Sequence, residues 1–411
     1  MRLLHTSDWH LGQSLHNFDR HYEHQRFLDW LLDLIVSERA DALLLAGDVF
    51  DNANPSAVSQ RQFYRFLQQA RERAPQLDLV IIAGNHDSPG RLEAPLPLLE
   101  AHGARVVGNV TRKEDGSIDV GGMVLPLRNG DGKVAAWCIA IPFLRPGDVP
   151  RVEAGEGEEA PDPYLAGIAE LYRLALEHAL SLRKDGQAIV AMGHCHLVEG
   201  QMSADSERRI VIGGTEMLPS GIFGPEIAYT ALGHLHLAQG KQEHIRYCGS
   251  PIPLSFSETQ YKHQVLCVEL EGAALSAVRP VFVPRSVPLL RVPASPAPLE
   301  AVLAELSALE LPECETHAQP YLEVRVRLDA PEPGLRARIE AAIEGKPLRL
   351  AKIETSSSAR GQSLEDAAVS LDQLARLQPD EVFKRLYRQK YDSEAPEEQL
   401  QAFAELLLAR E

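Results

Sequence analysis

Apolar runs, each closing on a polar, ligand-type cluster and each followed by a segment with helical spacing, set the rhythm of the first hundred positions. Leu3 and Leu4 lead into His5-Thr6-Ser7-Asp8-Trp9-His10, after which Phe27, Leu28, Leu31, Leu32 and Ile35 recur on one helix face. Ala42-Leu43-Leu44-Leu45-Ala46 precedes Gly47-Asp48, with a helix predicted after Pro55. Leu79-Val80-Ile81-Ile82-Ala83 precedes Gly84-Asn85-His86-Asp87, with a helix predicted from about Arg91. The pattern is a β-α alternation. From about 105 to 145 it shortens to two strands, Ile118 to Leu127 and Val134 to Phe143, around the hairpin signal Asn129-Gly130-Asp131-Gly132. A helix is expected around 163–183, then strands at Ala188–Met192, Ile210–Ile212 and Ile227–Leu232. The mixture predicts an α/β fold in which two sheets pack face to face with helices outside.

Five prolines in the sixteen residues 284–299 interrupt the periodicity and mark an expected domain boundary. Beyond it, a helix (300–310), an alternating strand (Tyr321 to Leu328), a helix (334–344) and a strand (348–354) predict a small α+β domain. The last fifty residues carry three amphipathic helical pieces, with Pro379 and Pro396 at first-turn positions. They dock either on their own domain or on a partner's helices, and the pattern does not choose. The expected division is 1–284, 285–360 and 361–411.

With 411 residues, 45% hydrophobic and 24% charged, the composition is that of a globular protein with more than one domain. No apolar run reaches membrane-span length and the start lacks a signal-peptide pattern, so a cytoplasmic protein with no membrane association is expected. The five cysteines are scattered without a CxxC pair, which suggests neither a disulfide framework nor a cysteine-built zinc site. The segment 151–163 holds five acids and one base and reads as a solvated loop. A net charge of −17 is the wrong sign for a chain that grips nucleic acid unaided.

Five clusters carry candidate chemistry: Asp8-Trp9-His10, Gly47-Asp48-Val49-Phe50-Asp51, Gly84-Asn85-His86-Asp87, Gly193-His194-Cys195-His196 and Gly233-His234-Leu235-His236. Each follows a strand-like run, and ligands of open α/β sheets gather beyond the carboxyl ends of strands. The two-residue spacing of D-x-H and H-x-H puts both side chains on one side of an extended chain. Taken singly, each cluster has an ordinary explanation: a polar loop residue, or Asp48 or Asp51 as a helix N-cap. Their joint occurrence points to a pair of divalent transition ions such as Mn2+, Fe2+ or Zn2+, since oxygens mixed with imidazoles suit these better than Mg2+.

At these residues the chain resembles the calcineurin-like metallophosphoesterases, with their series D-x-H, G-D-x-x-D, G-N-H-D/E, G-H and G-H-x-H. The run at the N-terminus and G-N-H-D-S-P-x-R-L further resemble the nuclease subunits of bacterial double-strand-break-processing complexes. The resemblance implies a two-sheet αββα sandwich over residues 1–284, a capping domain at 285–360 and a helical segment at 361–411 that binds an ATPase partner. It implies that Asp8, His10 and His236 hold one ion and Asn85, His194 and His234 the other, with Asp48 bridging and His86 catalytic. Mn2+ is the expected ion. The expected activity is that of a DNA exonuclease and endonuclease acting on double-strand ends and hairpin DNA, with a homodimer as the working form. His196 departs from the family series, and Cys195 is expected to be small and buried. The chain has no GxxxxGK[ST] loop, so ATP hydrolysis is expected of the partner. A small-substrate phosphodiesterase or phosphatase, and a metal-free scaffold, are the competing readings.

Overall fold

The structure, a computed structural model, describes residues 1–152, 162–198, 201, 217–328, 332–356 and 400. The expected strand Ile210–Ile212, most of the acid-rich loop and the helical segment 361–411, Leu400 apart, lie outside the described residues.

The strand Ala42–Ala46 shows how the sandwich is built. All five residues are apolar because both faces are covered. Leu43 and Leu45 turn outward onto the helices His21–Glu38 and Ala57–Arg73, where Phe27, Leu31, Phe63 and Phe66 meet them. Ala42, Leu44 and Ala46 turn inward, into a core shared with Val190, Met192 and Ala231 of a second sheet. Leu79 and Ile81 against Val80 and Ile82 repeat the same division in Asp78–Ile82. Each fully buried Leu or Ile contributes about 1.5–3 kcal/mol.

The first sheet runs in the order Ala274–Phe282, Gln264–Glu271, Arg2–Thr6, Ala42–Ala46, Asp78–Ile82, Ala104–Val107, parallel from Arg2–Thr6 onward. The second runs Gln239–Gln242, Ile245–Tyr247, Tyr229–Gly233, Ala188–His194, Val134–Ala140, Val124–Arg128. Helix Pro163–Leu182 covers its outer face through Ile168, Leu171, Tyr172 and Ala175. The result is the αββα order of layers.

A separate sheet of three parallel strands, Leu289–Pro298, Tyr321–Arg327 and Arg349–Ser356, is crossed by the helices Leu299–Ala308 and Leu335–Ala342. It has its own core of Val302, Leu306, Leu322, Val324, Val326 and Ile339. Leu15, Phe256, Val287, Leu289 and Tyr321 pack it against the sandwich, and the Arg349 guanidinium lies 3.8 Å over the Tyr321 ring.

Three sequence expectations differ from this. The proline-rich stretch is not only a connection: Leu289–Pro298 is an edge strand, where missing N–H groups cost little, with its register shifting between Val292 and Ala297. The helix expected from Arg91 is two short ones, Pro89–Glu93 and Leu96–Ala101, because Pro95 and Pro97 cannot continue the ladder. The strand expected from Ile118 starts only at Val124. Asp119 accepts the Gly121 N–H and caps a 3-10 turn, Val120–Met123, ahead of it. No described helix is long and apolar enough to cross a membrane.

Candidate metal centre

Packed face to face, the two sheets bring the carboxyl ends of their parallel strands to one place. Asp8 and His10 follow Arg2–Thr6, Asp48 follows Ala42–Ala46, Asn85 and His86 follow Asp78–Ile82, His194 ends its strand, and His234 and His236 follow Tyr229–Gly233. The loops lock together through the main chain: Asp8 N–H donates to Gly47 O and His10 N–H to Asp48 O, both at 3.0 Å. Three glycines of the clusters sit where nothing larger fits. A Cβ at Gly84 would overlap the Asp48 carboxylate, one at Gly233 the Ala46 carbonyl oxygen, and one at Gly47 the His194 ring. Asp8, His10, Asp48 and His234 all hold positive φ, at 53°, 46°, 50° and 100°. Such backbone costs of order 1–3 kcal/mol per residue and collects at functional sites.

All eight residues expected at the site are brought together. Ligand atoms of Asp8, His10 and His236 lie within 4.8 Å of one another, as do those of Asp8, Asp48 and His194. Asp48 Oδ2 stands midway, 3.5 Å from His10 Nε2 and 3.4 Å from His194 Nε2. Asn85 Oδ1 is 3.0 Å from His194 Nε2 and 3.1 Å from His234 Nδ1. His86 joins His10 and Asp48 in a third group, its ring 4.7 Å from that of His10. Its N–H donates to Asp48 Oδ1 at 2.8 Å and its Nδ1 to the Asp51 carbonyl at 2.7 Å. His196 lies beside the set, with its ring 6.2 Å from that of His234. Cys195 is partly exposed as a residue, though burial of its thiol pushes the pKa up to about 12.

These residues fit divalent cations. His194 Nδ1 donates to the Ala46 carbonyl at 2.8 Å, so in the neutral ring Nε2 carries a lone pair and faces two oxygens that also only accept. Both ring nitrogens of buried His10 lack a hydrogen bond, and each stands near a carboxylate. Acceptors converging on one another need positive charge between them. Without a metal, protons answer that need. Burial pushes His194 down, but the Asp48 carboxylate prevails and raises it to about 9. Burial likewise pushes Asp48 up, yet His194, His10 and His86 outweigh it and hold the carboxyl below its ordinary range. For Asp8 burial wins and the pKa rises, against the pull of His194 and His236.

Residues not among the expected ligands hold this arrangement in place; Asp51 is one of them, and the N-cap of the helix Ala57–Arg73 is Ser56 rather than Asp48 or Asp51. The Asp87 carboxylate accepts the N–H groups of Gly84, Val49 and Phe50 at 2.9–3.1 Å, fastening two ligand loops together; burial pushes it up to about 6. Asp51 Oδ1 lies 3.3 Å from His10 Nδ1. Both sit inside clusters read for other residues, and that position was their signal. Glu258 Oε1, 2.9 Å from His236 Nδ1, sits in no cluster and no periodic segment, and nothing local marks it.

A family model for calcineurin-like phosphoesterases matches residues 1–238, more than half the chain. One described as the type 5 capsule protein repressor C-terminal domain (SbcD_C) matches residues 285–391. The layered fold and the clustered ligand groups accordingly define a calcineurin-like metallophosphoesterase, a metal-dependent phosphodiester hydrolase. The SbcD component of the SbcCD nuclease of Rhodobacter capsulatus is 39% identical over 385 residues, covering 93% of each chain. Its counterpart of the same name in Escherichia coli K12 is 34% identical over 407 residues, 98% of this chain and 96% of its own. That of Bacillus subtilis is 31% identical over 294 residues, covering 71% and 72%. The chain belongs to the SbcD family of nuclease subunits.

Proposed function

We propose that this chain is the nuclease subunit of a two-metal, ATP-stimulated DNA exonuclease and endonuclease that processes double-strand ends and hairpins in repair and recombination. The observation that carries this reading is the central position of Asp48 Oδ2, nearly equidistant from His10 and His194, in a chain similar along 98% of its length to a nuclease subunit. Asp8, His10 and His236 would hold one ion, Asn85, His194 and His234 the other, and Asp48 both, with Mn2+ as the proposed metal. When bound, the pair supplies Lewis acidity toward a phosphoryl group and makes water a better nucleophile.

The chain's own residues do the rest. Ala46 O orients the ring of His194, and Asp87 keeps the loops of Asp48 and Asn85 in register. His86, held through Nδ1 by Asp51 O, offers Nε2 to the phosphate and protonates the departing 3′ oxygen. Residues 285–360 would cap the site, and 361–411 would bind the coiled coil of an SbcC-type ATPase in an assembly containing a homodimer of this chain. A partner that supplies the basic surface accounts for the net charge of −17.

The test is to give the purified chain, with Mn2+ or with EDTA, linear duplex DNA, hairpin DNA and a chromogenic phosphodiester, with and without the ATPase partner and ATP. Metal-dependent cleavage of both DNAs, raised by the partner and ATP, is expected. Cleavage of the small ester alone would assign the chain to small-substrate hydrolysis.

A further inference from the structure

Glu258 ends the short 3-10 turn Phe256–Glu258 and is fully buried. Its Oε1 lies 2.9 Å from His236 Nδ1, and its Oε2 accepts the Leu254 N–H at 2.7 Å. An ionised Glu258 carboxylate only accepts, and in that state the shared proton sits on Nδ1 and leaves the lone pair of His236 on Nε2. The His236 ring packs 5.2 Å from that of His10. The segment just before that turn is tied to the loop that carries His10: Gln13 N–H donates to His10 O at 2.9 Å, Gln13 Nε2 donates to Leu254 O at 3.0 Å, and Arg20 donates to Pro253 O. One small scaffold thus fixes two imidazoles that arrive from different sheets.

We infer that Glu258 is a positioning residue for one ion of the pair, holding His236 in the tautomer and orientation that present Nε2 beside Asp8 and His10. This rests on the reading of Asp8, His10 and His236 as ligands of one ion. A carboxylate partner on the far nitrogen fixes the ring and raises its basicity as a ligand; loss of such a partner typically costs about 10–100-fold in metal affinity. The ion on the Asn85, His194 and His234 side has a different support, the Ala46 carbonyl, and does not depend on Glu258.

Glu258→Gln is the informative variant. The amide keeps the volume, but its NH2 end cannot accept, so either Leu254 N–H or His236 Nδ1–H loses its partner. The metal-free full chain and the variant are titrated with Mn2+ by calorimetry, and their melting temperatures are compared in EDTA. Expected are two ions in the natural chain and, in the variant, one ion at unchanged affinity and one weakened about 10–100-fold, with the EDTA melting temperature nearly unmoved. Two ions at natural affinity in the folded variant would overturn the inference. So would equal weakening of both ions together with a lowered melting temperature, which would make Glu258 a support of the turn alone. Should the variant fail to fold, the ring 15N signals of His236 in the metal-free natural chain decide: a proton on Nδ1 supports the inference, and one on Nε2 overturns it. A natural chain that binds no ion at Asp8, His10 and His236 would instead sink the ligand reading itself.

Discussion

His86 differs from the buried imidazoles around it. It is half-buried, its Nδ1 is engaged by a main-chain carbonyl, and its ring lies edge-on to His10. A group so placed can reach substrate without being needed to hold an ion. His86→Ala is expected to keep two bound Mn2+ ions by calorimetry while turnover on duplex DNA falls about 10²- to 10⁴-fold, the range positioned acid–base groups supply. Loss of the ions along with turnover would make His86 a ligand. The site was largely legible at this scale because its residues sit in short clusters whose spacing is local. Glu258 and the bracing role of Asp87 were not legible, because a carboxylate announces its partner only after the chain has brought that partner to it.

At the scale of elements, the site depends on how closely the two sheets approach. Gly233→Ala would press a methyl group against the main-chain carbonyl of Ala46, which cannot swing aside, with His194 Nδ1 2.8 Å away. We expect a loss of about 1–3 kcal/mol in urea unfolding, as overpacking typically costs, together with weakened Mn2+ binding. An unchanged unfolding midpoint would mean that the sheets are not so close. Directly before the antiparallel pair Gln264–Glu271 and Ala274–Phe282 stands His263, whose Nδ1 donates to Ser250 O at 2.8 Å and whose pKa burial lowers from 6.5 to about 4. Between those values the unfolded chain binds a proton that the folded chain refuses, so stability falls as pH drops from about 6.5 towards 4, by up to about 3 kcal/mol from this residue. Urea midpoints measured across that interval check this, and His263→Gln is expected to flatten the dependence by one proton's worth. Strands with strong apolar runs, such as Ala42–Ala46, could be read from their own residues. The proline-bearing edge strand Leu289–Pro298 could not, because only its pairing with Tyr321–Arg327 makes it a strand.

At the scale of the whole molecule, a net charge of −17 opposes a polyanion, and the proposed ion pair offsets it only locally. The isolated chain is therefore expected to bind duplex DNA weakly and in a salt-dependent way in a fluorescence anisotropy titration, and more tightly with the proposed ATPase partner. Tight, salt-insensitive binding by the chain alone would contradict that. The layered architecture followed from the β-α alternation together with the short strands after it, whereas the meeting of the third sheet with the sandwich, where Tyr321 packs with Phe256 and Arg349 lies over the Phe18 ring, is a long-range contact that no local pattern encodes.

In the proposed mechanism Asp48 joins two cations in one cage. Electron paramagnetic resonance of the metal-free chain titrated with Mn2+ decides whether it does, since ions about 3.5–4 Å apart across a shared carboxylate couple magnetically. Two ions per chain are expected, with an exchange-coupled spectrum that Asp48→Asn abolishes; a single ion, or two that remain uncoupled in the natural chain, would rule out a bridging Asp48.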